Sequence, residues 1–357
     1  MTKKDAVIVY GAGISGRGAA QVLADRKQQV YLYNDMDCTL EPQLLQLLES
    51  VGGGLAIGQA AFEGLLDIAG VLVLSPGIAC DNANVLLAEQ RGLEVISEVE
   101  LGYRLYGGHI AAITGTNGKT TTTTIVGEML KRLPEPSAVG GNIGLALSKE
   151  VESLPQDGWL AAELSSFQLE SQQLLPDIAV VLNLTPDHLE RIIRWRPTAR
   201  RRRTFSVSRA KCRLRCLITM ILLCVPGVRK LKAACVTSAV RKTAAGHLYA
   251  GWEFYHQLGR QAGTVCNISE LHLFGGHNEE NVLAAIACGF FAGVSISDMA
   301  DVLRNFRSIE HRIEYVATID GVPYYNDSKA TNTDSTIKAL EPSRMATSSC
   351  SQAATIS

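Results

Sequence analysis

The stretch "ITGTNGKTTTTT", residues 113–124, decides how the whole chain is read. It follows the apolar run "HIAAITG" (109–115), read as a strand, and is expected to open a helix after a tight glycine loop. Gly115 and Gly118 let such a loop fold so that successive backbone N–H groups face one anion. The helix N-terminus adds partial positive charge, and Lys119 is placed to reach the terminal phosphates of a nucleotide. Thr116, Asn117 and Thr121 complete the loop, and the Thr120 hydroxyl is suited to Mg2+. The match to the full glycine-lysine phosphate loop is incomplete, because Ile113 stands where its first glycine belongs.

Phosphoryl transfer needs a metal to offset the charge on the moving group. Two residues at expected strand ends are candidates: Glu163 in "AAELSSFQLE" (161–170) and His188 in "LNLTPDHLE" (182–190). Taken singly, the first is equally a solvated strand end and the second a helix-start histidine. Their common place beside the loop favours the metal reading.

Upstream, "AVIVYGAG" (6–13), "QVYLYND" (29–35), "VLVLSPGI" (71–78) and "LEVISE" (93–98) are strand-like and separated by helical patterns, the signature of a parallel sheet with crossover helices. "HIAAITG", "WLAAEL" (159–164) and "IAVVLNL" (178–184) begin a second such series. "GAGISG" (11–16) is a GxGxxG loop with Asp35 closing the next strand. Alone it suggests a dinucleotide oxidoreductase, or simply a tight strand-to-helix turn. From 270, "ELHLFGGHNEENVLAAIACGFFAG" is expected to give a strand, a turn and a helix, and "IEYVATIDGVPYYND" (313–327) a hairpin turning at Asp320 and Gly321.

Composition bounds the class. The 357 residues suffice for two or three domains, 46% are hydrophobic and 19% charged, and no apolar run approaches the ~20 residues of a membrane-spanning helix. The N-terminus reads as a strand and not a signal peptide, and nine cysteines without a CxxC read as reduced thiols; both point to the cytoplasm. The net charge of −1 hides two unlike parts. Residues 191–252 hold 16 basic and no acidic residues, while the other 295 carry 18 bases and all 35 acids.

Taken together with "GGNIG" (140–144), "GGHNEEN" (275–281), "EHRIE" (310–314) and "NDSKATNTDST" (326–336), these motifs closely resemble the ATP-dependent Mur ligases of bacterial peptidoglycan synthesis. The resemblance covers residues 1–190 and about 270–340. It implies an α/β fold in three parts: a Rossmann-like unit (1–99) for a UDP-sugar nucleotide, a central P-loop ATPase-type unit (100–309), and a truncated C-terminal α/β unit (310–357). It implies that Ile14, Ser15, Gly16, Asp35, Ser75, Pro76 and Gly77 hold UDP, with no need of NAD. Gly115 to Thr121 would bind ATP, with Asn278, Asn281, Arg312, Asp327 and Lys329 around the nucleotide. Thr120, Glu163 and His188 would hold Mg2+; Lys119, Glu163 and His188 would serve catalysis; Asn142, Ser165, Gln168 and His188 would meet the substrate. "ELSSFQLE" after the loop points to UDP-N-acetylmuramoyl-L-alanine and D-glutamate as the substrates, joined through an acyl phosphate by a monomer that needs neither nucleic acid nor membrane.

The chain departs from that pattern in two places. From 191 to about 250 it is rich in Arg, Ser and Cys, lacks acids and shows no helical or strand period, as a coding sequence read in a shifted frame would. A divergent insertion and a basic nucleic-acid arm are the alternatives, but an arm would set its arginines on one face among aromatics, and Trp195 alone does not make that pattern. The lysine that the family carbamylates falls at Arg203, and only 47 residues follow Glu310. The chain is therefore expected to be an impaired ligase, or a module that binds ATP and UDP-sugar without turnover.

Overall fold

The computed structural model describes residues 5–142, 146–165, 176–182, 220–223, 240–242, 247–250, 263–273, 276–307, 309–312 and 314–328. Two parallel sheets dominate. The first contains β1 (Ala6–Tyr10), β2 (Val30–Asn34), β3 (Gly54–Ile57), β4 (Ala69–Leu74) and β5 (Glu94–Ser97), in the order β3-β2-β1-β4-β5. Its strands are short and nearly all apolar because both faces are covered. Helices α1 (Ile14–Asp25) and α2 (Pro42–Ser50) pack through Ala19, Leu23 and Leu48 on Val7, Val9 and Leu32; α3 (Gln59–Leu65) and α4 (Ala83–Gln90) pack through Phe62 and Val85 on Ile8, Tyr10 and Tyr33. The chain reverses its direction of winding between β1 and β4, and there Gly11 and Ser75 meet.

The helix α5 (Glu98–Leu105) leads to the second sheet, made of β6 (His109–Thr114), β7 (Ser137–Gly141), β8 (Trp159–Glu163), β9 (Ile178–Val181) and β10 (Met220–Leu223), ordered β10-β9-β6-β8-β7. β6 to β9 are parallel, and β10 closes the edge antiparallel to β9. One face carries α6 (Lys119–Leu130) and, later in the chain, α8 (Gly276–Ala292) and α9 (Ile296–Asn305); the other carries α5 and the short α7 (Leu147–Glu150). α5 serves both cores, giving Leu101 to the first and Val99 to the second.

β11 (Val240–Lys242), β12 (His247–Ala250) and β13 (Gly263–Asn267) form a small antiparallel sheet, and β14 (Glu314–Ile319) with β15 (Val322–Asn326) forms the expected hairpin. Asp320 at φ +49° and Gly321 at φ +80° supply the two left-handed residues that its tight turn needs. Two expectations differ. The strand expected at "ELHL" lies earlier, at β13, because Asn267 and Glu270 form a reciprocal cap that turns the chain at Ile268–Glu270. The segment read as lacking period contributes three strands, β10 paired with β9 on the edge of the second sheet and β11 and β12 in the small antiparallel sheet. Its remaining stretches fall mostly outside the described residues. Among the described residues no helix is long and apolar enough to cross a membrane.

Glu98 joins α5 to α7. It is 1% exposed; its Oε1 accepts from the Ser148 N–H at 2.8 Å and the Ser148 hydroxyl at 2.7 Å, while its buried Oε2 has no hydrogen-bond partner. Burial raises this carboxyl above the usual range despite those donors. The protonated form is thus the better tolerated in the fold, so its contribution to stability is full below the ordinary carboxylate range and is lost as pH rises through the raised value. Glu98→Gln keeps the accepting oxygen without the charge. Urea unfolding from about pH 4 to about pH 8 should show a stability gain over the wild type that grows with pH; a gain independent of pH would contradict this account.

Candidate nucleotide and metal site

The second sheet delivers its strand ends to one place. The register pairs Ile113 of β6 with Glu163 of β8, and Glu163 with Gly141 of β7, so the phosphate loop leaves the sheet level with a carboxylate. Binding at the carboxyl ends of the strands, beside the strand where winding reverses, is the general rule for open α/β sheets. The loop ends are stitched down: Leu164 N–H donates to Ile113 O at 2.8 Å, Leu182 N–H to Thr114 O at 2.9 Å, and the Thr114 hydroxyl to Leu164 O at 2.9 Å.

Gly118 caps α6 at φ +84° without a side-chain hydrogen bond of its own. A Cβ there would lie 2.0 Å from Asn281 Oδ1, so glycine is required by both backbone and neighbour. Asn281, 3% exposed in the second turn of α8, donates from Nδ2 to Asn278 Oδ1 at 3.1 Å. Asn281 thus meets the loop from the neighbouring helix, with Asn278 bonded behind it.

Lys119 folds back so that Nζ donates to Gly115 O at 2.8 Å and Thr116 O at 2.9 Å. Desolvation lowers its pKa first; the Glu163 charge opposes that, and the Arg312 guanidinium adds to it. Lys119, Glu163 and Arg312 therefore share one field. Arg312 Nε is buried with no hydrogen-bond partner. Lys119 and Arg312 thus set two cations against the one Glu163 carboxylate beside the start of α6, a balance that favours an anion.

Glu163 is 2% exposed. Its Oε1 accepts from Asn142 Nδ2 at 3.0 Å, while its Oε2 is buried and has no hydrogen-bond partner. Asn142 is brought there by Gly141 at φ +101°, where any Cβ would strike Glu163 O at 2.3 Å. A buried carboxylate oxygen left unpaired is costly unless a cation completes it. Among the described residues no three His, Cys, Asp or Glu gather as a cage.

Ser165 follows Glu163 closely, at the end of β8, and Asp327 follows β15, whereas Gln168, His188 and Lys329 lie outside the described residues. In the first sheet, Gly16 fits so tightly that a Cβ would lie 1.8 Å from Gly11 O, and the Ser75 hydroxyl donates to Gly11 O at 2.9 Å. Ile14 and Ser15 open α1, and Pro76 and Gly77 follow Ser75 on the facing loop. Asp35 is exposed one residue past β2, where it accepts hydrogen bonds from Tyr10 and Tyr33. Motif reading missed Arg17, which ties Ala12 O to Thr39 O and Glu41, and Asn34, whose Oδ1 accepts from the Ala12 N–H at 3.2 Å. Nothing in their spacing marks them, because the pairing becomes visible only once β1 and β2 lie side by side.

Residues 113–198 match the Mur ligase middle domain, a span that starts at the end of β6 and includes both the loop and Glu163. The chain belongs to the Mur ligase family. Relatives within that family that it resembles in sequence include UDP-N-acetylmuramoylalanine–D-glutamate ligases. It is 38% identical to that of Acidobacterium capsulatum over 94% of this chain and 73% of the relative, and 37% identical to that of Lachnospira eligens over 95% and 76%. The solved UDP-N-acetylmuramate-alanine ligase MurC from Thermotoga maritima matches 94% of this chain and 76% of its own at 18% identity, with a TM-score of 0.48.

Gly118→Ala is expected to cost more than the ~1–2 kcal/mol of a left-handed backbone alone, because Asn281 must also move. Adding Asn281→Ala should recover the excess in chemical denaturation; strictly additive costs would show that the two residues do not touch.

Proposed function

We propose that this chain joins D-glutamate to UDP-N-acetylmuramoyl-L-alanine at the expense of ATP, in the cytoplasm and as a monomer. The observation that carries the reading is the unpaired, buried Oε2 of Glu163 in the same field as Lys119 of an anion-binding loop. The names of the relatives support the substrates.

In this reading, residues 1–99 hold the UDP moiety through Ile14, Ser15, Gly16, Asp35, Ser75, Pro76 and Gly77. Residues 100–309 bind ATP on Gly115 to Thr121, with Asn278 and Asn281 behind the loop and Arg312, Asp327 and Lys329 beside the nucleotide. Residues 310–357 begin the third unit. The alanyl carboxylate attacks the γ-phosphorus of ATP, releasing ADP and giving an acyl phosphate; the D-glutamate amine then attacks the carbonyl carbon, and phosphate leaves with the C–O bond.

Lys119 and Arg312 offset charge on the transferred phosphoryl group, and the loop N–H groups orient it. Thr120, Glu163 and His188 would hold Mg2+, which supplies further charge neutralisation when bound. Asn142 fixes the rotamer of Glu163, and Ser165 and Gln168 would meet the substrate. Binding without turnover is the second reading, favoured by Arg203 standing where the family carries its carbamylated lysine.

Phosphate release from purified chain with ATP, Mg2+, UDP-N-acetylmuramoyl-L-alanine and D-glutamate separates the two. Release that depends on D-glutamate, and falls at least about a hundredfold in Lys119→Ala, supports the ligase. Binding of both nucleotides with no D-glutamate-dependent release supports the second reading.

A further inference from the structure

Asp35 stands one residue past β2, and two buried tyrosines hold its side chain. Strand alternation sends Tyr33 and Asp35 to one face of the first sheet and Asn34 to the other. On the first face, Tyr10 and Tyr33 pack their rings together at 4.9 Å between centroids and lie 6.1 and 4.7 Å from Phe62. Both rings are buried, and both hydroxyls end at the same carboxylate. Tyr10 donates to Asp35 Oδ2 at 2.6 Å and lies 2.8 Å from Oδ1; Tyr33 donates to Oδ1 at 2.8 Å. Asn84, in the first turn of α4, donates to the Tyr33 oxygen at 3.1 Å and reaches Asp35 Oδ1 at 3.3 Å.

On the opposite face, the main chain beside Asp35 is tied to the glycine loop. Asn34 accepts from the Ala12 N–H and donates to Met36 O at 2.8 Å, while Arg17 spans from Ala12 O at 2.7 Å to Thr39 O and Glu41, each at 2.8 Å. The backbone of Asp35 is thus fixed from one side of the sheet and its carboxylate from the other.

Such a clamp has two possible uses: to satisfy two buried phenols, or to aim the carboxylate. The distribution of donors favours aiming. Oδ1 takes Tyr33 and the longer Asn84 contact and shares Tyr10, whereas Oδ2 takes Tyr10 alone, so Oδ2 keeps acceptor capacity. The Asp35 residue remains exposed at the carboxyl end of the sheet, where ligands of this architecture bind. Burial also pushes the Tyr10 phenol up to about 12 and raises that of Tyr33, so both remain donors at any working pH.

We propose that Tyr10 and Tyr33 are positioning residues that aim Asp35 Oδ2 at a hydrogen-bond donor on the nucleoside of the sugar nucleotide. The inference rests on the assignment of the first crevice to UDP. An acceptor already held in place loses little rotamer freedom when the ligand arrives, and releasing it should weaken binding about three- to tenfold.

Calorimetric titration with UDP, and in parallel with ADP, tests this on the full chain. Tyr10→Phe and Tyr33→Phe each remove one hydroxyl and keep the ring. Both should weaken UDP about three- to tenfold while leaving ADP affinity unchanged. Wild-type UDP affinity in both variants, with only a lowered melting temperature, would make the phenols structural and overturn the proposal. Asp35→Asn separates this from the underlying assignment. If it weakens UDP and the two Phe variants do not, the proposal alone fails. If Asp35→Asn leaves UDP binding unchanged, or the wild type binds no UDP, the assignment fails with it.

Discussion

The parallel register of β6 and β8 is the constraint on which the site depends. Because Ile113 pairs with Glu163, the phosphate loop and the acid leave the sheet side by side, and no long side chain must stretch to bring them together. The second neighbour, β7, adds Asn142 through the tight passage at Gly141, and this fixes one oxygen of Glu163 while the other stays unpaired. A buried carboxylate in that state stores a preference for a cation, and the depressed ammonium of Lys119 beside Arg312 stores one for an anion. The two preferences together describe a metal–phosphate complex better than either alone.

The first sheet applies the same geometry to a different task. Its winding also reverses at its central strand, its first loop is also pinned by a close glycine contact, and the opposite wall, at Ser75, hydrogen-bonds the loop directly. What differs is the absence of a loop lysine and the presence of the Tyr10–Tyr33–Asp35 network, which suit a crevice that grips a ligand without acting on it. α5 joins the two units by packing into both cores, with Glu98 bonded to α7. The glycine loop of the first sheet and the loop at 115–118 are therefore built on one continuous framework.

The parts of this arrangement legible in sequence were those whose chemistry is local. Loop, lysine and helix at 115–121 follow from neighbouring residues, as do the alternation of strands with helices and the turn at Asp320 and Gly321. The strand near 270 was misplaced because "ELHL" has the right apolar content, and only the cap formed by Asn267 and Glu270 shows that the chain turns there. The bond from Asn142 to Glu163 and the clamp on Asp35 were invisible for another reason. The Asn142–Glu163 bond and the Tyr10 and Asn84 contacts of that clamp join residues far apart in the chain whose meeting is set by strand order, and strand order is not written in any single motif.

The central claim is that Glu163 and the phosphate loop hold one metal–nucleotide complex between them. Electron paramagnetic resonance of Mn2+ titrated into the chain, with and without ADP, tests it most directly. Tight Mn2+ binding that requires ADP, shows phosphorus coupling and disappears in Glu163→Gln is the predicted result. Mn2+ binding that is unaffected by that substitution, or that shows no coupling to phosphorus, would contradict it.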